Sequence, residues 1–409
     1  MTKPICRGCG TFLRESFVDL GLSPLANSFV PVERVDAPET FYPLHAYVCD
    51  ECFLVQLPVA ATPSEIFDEY AYFSSYSVTW LKHAESFVNK MLAERTWDPG
   101  SLVVEVASND GYLLQFFKRQ NIAVLGIEPA QNVARAAEAA GIPTLVRFFG
   151  QAMAEDLVRQ GRMADLLIAN NVLAHVPDLH DFVAAIATVL KPTGLGTLEF
   201  PHLMRLMLEG QFDTIYHEHL SYFSLLAVEP VFRRHGLAVV DVEELPTHGG
   251  SLRLHVRHAQ AGAEPGHRVS DLRRREVAAG LDALDPYRRF REHVERAKLE
   301  LLHCLLGLRR QGATIVGYGA PAKGNTLLNY CGIGRDVLQF TVDKNPYKQG
   351  CLLPGSRIPI YAPEHIEATK PDYVLILPWN LRAEIMHEMA MIRSWGGRFI
   401  VPIPKVEIC

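Results

Sequence analysis

The sequence has no long apolar run, no block of like charge and no repeat of fixed period. No segment approaches the roughly 20 apolar residues that cross a bilayer, and the first residues, MTKPICRGCG, contain no apolar signal-peptide core. The 40 Lys and Arg and 46 Asp and Glu residues are interspersed, and the formal net charge of -6 disfavours a nucleic-acid surface. We therefore expect a cytoplasmic globular protein that binds neither membrane nor nucleic acid.

Only eight cysteines occur, and four of them form two close pairs. Cys6 and Cys9 lie in CRGC, and Cys49 and Cys52 lie in CDEC. Two such knuckles supply four thiolates to one tetrahedral zinc ion, and a chain without a signal peptide favours metal binding over disulfides. The alternative is two unrelated pairs of free cysteines. Because protein would fill all four ligand positions, we predict that the zinc is structural.

Changes in composition and in the spacing of apolar residues divide the 409 residues into four predicted parts. Residues 1–75 are a loop-rich zinc-binding unit, and 76–265 alternate short apolar runs with helices. Residues 266–311 are a charged helical connector, and 312–409 contain a second strand–helix series. The alternation predicts an α/β fold with a parallel, Rossmann-like sheet in each larger part. In the first of these, AVVDVEELP and SLRLHVRH predict an antiparallel hairpin at the sheet edge.

A turn of small residues follows the first predicted strand, in VVEVASNDG. Such a turn lets the backbone approach a nucleoside cofactor that lies over it. Glu128 closes the next strand, where a carboxylate can accept hydrogen bonds from both hydroxyls of a ribose. An ordinary strand–helix turn with a surface glutamate is the alternative. The candidate cofactor-binding residues here are Glu105, Ala107, Ser108, Asn109, Asp110, Gly111, Glu128 and Pro129.

Titratable and aromatic residues are concentrated in the segment TIYHEHLSYFS. In a helix or turn, His219 and Tyr216 lie on one side while His217 points elsewhere. His175 follows the third predicted strand at its carboxyl end, where α/β sheets carry their chemistry. A metal site, a buried hydrogen-bonded network and acid–base chemistry are the competing interpretations. The concentration of these groups beyond a predicted cofactor site favours acid–base chemistry for the cluster.

A second glycine turn, GYGAPA, contains Gly317 and Gly319 and is followed by Asp343 at the spacing of a dinucleotide fingerprint. Read alone, it predicts NAD binding. A Rossmann-like scaffold without a ligand is another interpretation. In a third, the turn holds the diphosphate of a nucleotide-linked sugar, with Lys323 as the counter-charge and Asn380 in the same pocket.

Segment 101–200 resembles a class I S-adenosylmethionine-dependent methyltransferase. VVEVASNDG corresponds to the first motif of that class and keeps only the last of its usual glycines, while Glu128 corresponds to its ribose-binding acid. The resemblance implies that Asn170 and Asn171, in ANNVLAHV, line the methionine end of the cofactor. It also implies that Phe148 or Phe149 packs on the adenine.

The whole chain is similar to the sugar C-methyltransferases, which act on nucleotide-linked 4-keto-deoxysugars in antibiotic and surface-polysaccharide pathways. The shared motifs are the two cysteine pairs, YHEHxxYFS, an HGGS turn and GYGAxAKG. The resemblance implies that His219 is the base that removes a proton from the carbon next to the ketone. Glu218 then orients the base or holds the sugar, and Tyr216 and His175 lie near the enolate that forms.

The same resemblance implies an active-site tyrosine at Tyr72, or at Tyr70 if the alignment shifts. The expected substrate is a dTDP-linked 4-keto-6-deoxysugar, methylated at carbon 3. Its candidate contacts are Tyr222, His248, Gly249, Gly317, Gly319, Lys323 and Asn380. An NAD-dependent oxidoreductase acting on a nucleotide sugar is the alternative enzyme, and a zinc-stabilised nucleotide-sugar-binding module is the non-enzymatic one.

Overall fold

The computed structural model describes residues 4–60, 73–262 and 264–409. Within these residues the chain forms nineteen β-strands and twelve α-helices. The strands are β1 (Glu15–Ser23), β2 (Val30–Pro31), β3 (Tyr42–Val48), β4 (Val55–Gln56), β5 (Leu102–Val106), β6 (Ala123–Ile127), β7 (Thr144–Leu145), β8 (Ala164–Asn170), β9 (Leu190–Pro201), β10 (Ser221–Tyr222), β11 (Leu237–Leu245), β12 (Ser251–His258), β13 (Ile315–Tyr318), β14 (Thr341–Val342), β15 (Cys351–Leu352), β16 (Ile360–Tyr361), β17 (Tyr373–Ile376), β18 (Arg398–Val401) and β19 (Glu407–Ile408). The helices are α1 (Val78–Glu94), α2 (Leu114–Lys118), α3 (Gln131–Ala139), α4 (Gln151–Arg159), α5 (Leu179–Val189), α6 (Leu203–Leu208), α7 (Leu225–Arg234), α8 (His267–Ala278), α9 (Leu284–Arg310), α10 (Ala322–Cys331), α11 (Glu364–Thr369) and α12 (Arg382–Glu388).

The central sheet has the strand order β11-β12-β9-β8-β5-β6-β7. Strands β7, β6, β5, β8 and β9 run parallel, and β12 is antiparallel to both of its neighbours. The sequences of β5 and β8 are almost continuously apolar, as expected for parallel strands that are buried on both faces. The predicted parallel core and the edge hairpin are therefore confirmed. Helix α5 ends at Val189, and β9 begins at Leu190, two residues before Pro192, which disfavours helical backbone at the residue it follows.

The N-terminal sheet is completed by a strand from far along the chain. Its order is β1-β3-β4-β10, and β10 is a two-residue strand within the segment TIYHEHLSYFS. Helix α9 packs on the other side of the unit, where the ring of Phe290 stacks on Phe17 with centroids 4.6 Å apart. The segment predicted as a helical connector forms the helix pair α8 and α9.

The C-terminal sheet has the order β16-β14-β13-β17-β18-β19, with only β19 antiparallel to its neighbour. This arrangement confirms the prediction of a second Rossmann-like unit. Strand β15 pairs with β2 of the N-terminal unit, so the first and last parts of the chain are in direct contact. Among the described residues, no helix has the length and apolar character needed to span a membrane.

Candidate active site

The four cysteines of the two knuckles come together in the fold. Their sulfur atoms all lie within 4.8 Å of one another, and the Cys6–Cys52 and Cys9–Cys49 sulfurs are each 3.5 Å apart. Zinc with Zn–S bonds of about 2.3 Å holds tetrahedral thiolates roughly 3.8 Å apart, so these side chains fit the ion. Since protein supplies four ligands, the site suits a structural rather than a catalytic metal.

The glycine turn between β5 and α2 has the tight backbone that a cofactor-binding turn requires. Ala107, Asn109 and Gly111 adopt positive φ values of 55°, 49° and 79°. A Cβ atom on Gly111 would lie only 2.8 Å from Cγ1 of Ile142, so only glycine fits there without displacing its neighbour. The turn lies at the carboxyl end of β5, where doubly wound sheets bind nucleosides.

Glu128 is buried at the end of β6 and faces the same turn. One carboxylate oxygen accepts from the backbone N–H of Asn109 at 3.0 Å and the other from that of Ala130 at 2.9 Å. Burial raises the pKa of Glu128, and these two N–H groups oppose the shift. A carboxylate oxygen can accept more than one hydrogen bond, so each oxygen retains capacity for a ribose hydroxyl.

Several polar atoms around this crevice are buried and lack a protein partner. Within the described part of the chain, Asp110 Oδ1, Asn170 Oδ1 and Asn171 Oδ1 have no hydrogen-bond partner. All three are acceptors, and S-adenosylmethionine brings ribose hydroxyls and an ammonium group that donate. Glu105 is also fully buried, and burial raises its pKa well above the usual range. The residues present therefore fit the predicted cofactor.

Two residues of the turn also hold the segment that leads into α1. Asn109 Oδ1 accepts from the backbone N–H of Ser74 at 2.9 Å, and Asp110 Oδ2 accepts from that of Ser75 at 3.1 Å. Part of their hydrogen-bonding capacity is thus used by the protein itself. The candidate Tyr72, like Tyr70, lies outside the described residues.

The two phenylalanines considered for adenine packing differ in their surroundings. The ring of Phe148 is 56% exposed, whereas Phe149 packs edge-on against Phe182 with centroids 5.4 Å apart. Phe148 therefore has the more accessible face for a base. Pro129 directly follows Glu128 and stays half-buried beside it.

Two hydrogen bonds hold the side chain of His219 in one orientation. Its Nδ1 lies 2.9 Å from the carbonyl oxygen of Thr214, and its Nε2 lies 2.8 Å from the hydroxyl of Tyr216. Because a carbonyl can only accept, Nδ1 carries the proton and Nε2 presents its lone pair. Burial lowers the pKa of His219 well below its usual value, and the positive charge of Lys323 adds to the effect.

The other residues of this segment divide between two surroundings. His175 packs edge-on against His219, with ring centroids 4.8 Å apart, and Tyr222 lies on the same ring at 6.2 Å. His217 instead points to the carbonyl oxygen of Pro43 at 3.3 Å, as predicted. Glu218 accepts from the side-chain amide of Asn27 at 2.7 Å, and burial raises its pKa to about 7.

The HGGS turn contributes a further histidine, His248, to the residues around His219. His248 has a positive φ of 54°, and its Nε2 lies 3.3 Å from Nδ2 of Asn171. Burial lowers its pKa to about 4, with the charge of Lys323 acting in the same direction. A Cβ atom on Gly249 would lie 2.7 Å from the ring of Trp379, so glycine allows the C-terminal domain to approach this turn closely.

Lys323 belongs to the C-terminal domain, and its charge acts on both His219 and His248. Its ammonium group donates to Oδ1 of Asn380 at 2.7 Å and lies 4.5 Å from the ring centroid of Trp379. Burial lowers its pKa to about 8, and the carboxylate of Asp213 opposes the shift. The structure thus brings Lys323 and Asn380 together, within reach of electrostatic interaction with His248.

The glycines of GYGAPA are explained largely by packing. A Cβ atom on Gly317 would lie 2.6 Å from Thr341 Oγ1, and one on Gly319 would lie 2.5 Å from Pro378 Cδ. The backbone N–H of Ala320 donates to Asp343 at 2.7 Å, so this group of the turn already has a partner within the protein.

Three family models match successive parts of the chain: a zinc binding domain over residues 6–67, a methyltransferase domain over 80–242 and a C-methyltransferase C-terminal domain over 246–404. C-methyltransferase NovU of Streptomyces niveus is 36% identical over 410 residues, covering 100% of this chain and 98% of NovU. The chain belongs to the C-methyltransferase family. The predicted enzyme class, fold and cofactors are confirmed: the methyl donor is S-adenosylmethionine, and the four-cysteine domain binds zinc.

Other similarities cover less of the C-methyltransferase chain. The ubiquinone biosynthesis O-methyltransferase of Methylobacterium sp. (strain 4-46) is 34% identical over 100 residues, which are 24% of this chain and 39% of that protein. The crystal structure of magnesium protoporphyrin IX methyltransferase (ChlM) from Synechocystis PCC 6803 with bound SAM is 16% identical, with a TM-score of 0.34. That match covers 45% of this chain and 82% of the solved one.

Sequence reasoning missed several residues that the C-methyltransferase fold brings to the site. Asp213 is fully buried, accepts from the indole N–H of Trp379 at 2.7 Å, and has its pKa raised to about 6 by burial. Asn27 reaches Glu218 from the N-terminal unit. Asp213 directly precedes the segment TIYHEHLSYFS and Trp379 directly precedes Asn380, and that proximity was the only sequence signal. Asn27 had none.

Replacing Glu128 by glutamine is expected to weaken S-adenosylmethionine binding by about 10-fold to 100-fold, because hydrogen bonds to a charged acceptor contribute about 1.5–3 kcal/mol. Glutamine keeps the shape but exchanges one acceptor oxygen for a donor. Isothermal titration of the C-methyltransferase with S-adenosylmethionine measures the effect. Glu138→Gln, an exposed glutamate on the following helix, is the matched control. Equal affinity of the two variants would exclude Glu128 from the ribose site.

Proposed function

We propose that this C-methyltransferase methylates the carbon next to the ketone, carbon 3, of a dTDP-linked 4-keto-6-deoxysugar. A sugar C–H bond is a poor nucleophile, so a base must first convert the carbon to an enolate. Bound S-adenosylmethionine supplies the electrophilic methyl group. The chain must then hold the enolate carbon in line with that group, exclude water and stabilise the enolate oxygen.

The fixed tautomer of His219 is the observation that carries the proposal. Its Nδ1 proton is donated to the carbonyl of Thr214, and its unprotonated Nε2 lies 2.8 Å from the Tyr216 hydroxyl. The lowered pKa keeps the imidazole neutral near pH 7, which a base requires. His219 accepts the carbon-bound proton in this scheme, and Tyr216 moves from Nε2 to the substrate oxygen as a hydrogen-bond donor.

The charges around His219 suit an anionic intermediate. His175 and His248 are neutral donors or acceptors at pH 7, since burial lowers the pKa of each to about 4. Lys323 remains mainly protonated at that pH, because its pKa lies at about 8. A cation and several N–H or O–H donors on one side of the pocket stabilise developing negative charge on an enolate oxygen.

We place the sugar between the N-terminal domain (1–75), the central domain (76–265) and the C-terminal domain (312–409). In this arrangement Glu218 and Tyr222 contact the sugar from the N-terminal side. His248 and Gly249 contact it from the sheet edge, and Lys323 and Asn380 from the C-terminal domain. Gly317 and Gly319 shape the turn near the nucleotide diphosphate.

Mass spectrometry of products from a panel of dTDP-, UDP- and GDP-linked 4-keto-deoxysugars tests the proposal. With S-adenosylmethionine, the dTDP-linked ketone should gain the mass of one methyl group on carbon 3. In D2O with S-adenosylhomocysteine instead, the same carbon should exchange its proton for deuterium, because enolate formation precedes methyl transfer. A sugar nucleotide without the ketone is the matched control. Methylation of that control would contradict the proposal. So would binding of NAD by an enzyme that binds neither S-adenosylmethionine nor S-adenosylhomocysteine.

A further inference from the structure

The backbone N–H and carbonyl groups of Leu220 join the turn that holds His219 to two parts of the fold. Its N–H donates to the carbonyl of Ala174 at 2.7 Å, next to His175 in the central domain. Its carbonyl accepts from the backbone N–H of Leu57, at 3.0 Å, in the N-terminal unit. Because Leu220 directly follows His219, any shift of this peptide changes the direction of the imidazole.

Arg7 lies between the two ligands of the CRGC knuckle and reaches the same peptide. One nitrogen of its guanidinium group, Nη1, donates to the carbonyl of Leu220 and lies 3.4 Å from Oγ of Ser221. The other, Nη2, donates to the carbonyl of Leu57 at 2.9 Å. The rigid planar fork of arginine can hold two carbonyls at a fixed separation, which the flexible ammonium of lysine cannot.

Gln56 makes a second connection from the cysteine cluster to the turn. Its side-chain amide donates to Cys6 Sγ at 3.1 Å and accepts from the backbone N–H of Arg7 at 2.9 Å. In the β4–β10 pair, Gln56 lies opposite Ser221. A contact path therefore runs from a zinc-binding thiolate through Gln56 and Arg7 to the strand that follows His219.

We propose that Arg7 is a positioning residue, which fixes the direction of the His219 imidazole by holding the Leu220 carbonyl against the zinc knuckle. The zinc domain in this view forms one wall of the active site. The inference rests on the proposed function, in which His219 is the base. Leu57 still donates to Leu220 when Arg7 is lost, so the turn should loosen without unfolding.

Arg7→Met tests the inference, because methionine keeps an unbranched apolar stem and removes the fork. We expect kcat to fall by about 10-fold to 100-fold, the range that a displacement of about 1 Å produces, while the KM for S-adenosylmethionine stays within about twofold. Arg7→Lys should recover part of the lost kcat. Zinc content should equal that of the parent enzyme. Arg14→Met, at an exposed arginine of the same unit, is the matched control.

Hydrogen–deuterium exchange provides a readout that does not need turnover. In Arg7→Met, the peptide covering 214–222 should exchange faster, while that covering 42–49 keeps its protection. Loss of zinc or of protection across 42–49 would assign Arg7 to the stability of the knuckle and overturn the inference, as would an unchanged kcat. Failure of the proposed reaction would show as absent turnover in the parent enzyme, which leaves the exchange result interpretable.

Discussion

Replacing His219 by alanine is expected to lower kcat by about 10³-fold, since a general base contributes about 10²- to 10⁴-fold. The expected loss comes from removal of the lone pair on Nε2, which stays unprotonated because the Thr214 contact holds the proton on Nδ1. Affinity for the sugar nucleotide should change little, because proposed contacts from Lys323 and Asn380 are unaffected. Single-turnover kinetics and titration with the sugar nucleotide measure the two quantities separately.

His217→Ala is the matched control, because that imidazole faces Pro43 rather than the pocket. It should retain kcat within a few-fold. The pH profile provides a second check: the pKa of His219 is lowered, so the base loses its lone pair only as pH falls below the ordinary range for histidine. The kcat of the parent enzyme should therefore stay level down to that point and then decrease. A fully active His219→Ala variant would remove His219 as the base.

Replacing Cys6 or Cys49 by serine is expected to abolish stoichiometric zinc binding and to lower the yield of folded enzyme. Serine is a poor zinc ligand at neutral pH, and structural zinc contributes about 10–16 kcal/mol of apparent binding energy in small zinc-dependent peptides. The cost here should be smaller than that limit, since the N-terminal sheet also contains β10 and packs against α9. Elemental analysis and thermal unfolding measure both effects.

Cys409→Ser is the control for the zinc prediction, because that cysteine is exposed and lies outside the cluster. Its zinc content and unfolding midpoint should match those of the parent enzyme. If Cys6→Ser kept one zinc per chain and the same midpoint, the four-thiolate site would be wrong. These variants differ from Arg7→Met, which should keep its zinc.

The sequence predicted those features that depend on local periodicity and spacing. Alternating apolar runs and helices identified β5, β6, β8 and β9, and the two Cys-x-x-Cys pairs identified a zinc cluster whose sulfur atoms meet in the structure. Glu128 was found because strand ends meet at one edge of a parallel sheet. The site residues remain predictions, since their roles depend on ligands and reaction chemistry.

Other features could not be read from the sequence. Strand β10 has two residues, too few for an alternating pattern, so its pairing with β4 gave no signal. The GYGAPA motif located a turn but not the direction of Lys323, which depends on how Trp379 packs against Gly249. Burial also shifts the pKa of Asp213 and Glu218 upward, and burial is a property of the assembled domains.

The pairing of β4 with β10 restricts how this enzyme can be recombined with its relatives. A hybrid that takes the zinc domain from one parent and the remainder from another would pair β4 of one protein with β10 of the other. The mismatch would fall beside His219, although the splice itself lies far away in the chain. Substrate range should therefore be exchanged by transplanting residues 4–57 and 214–222 as one module, because neither piece specifies the catalytic turn without the other.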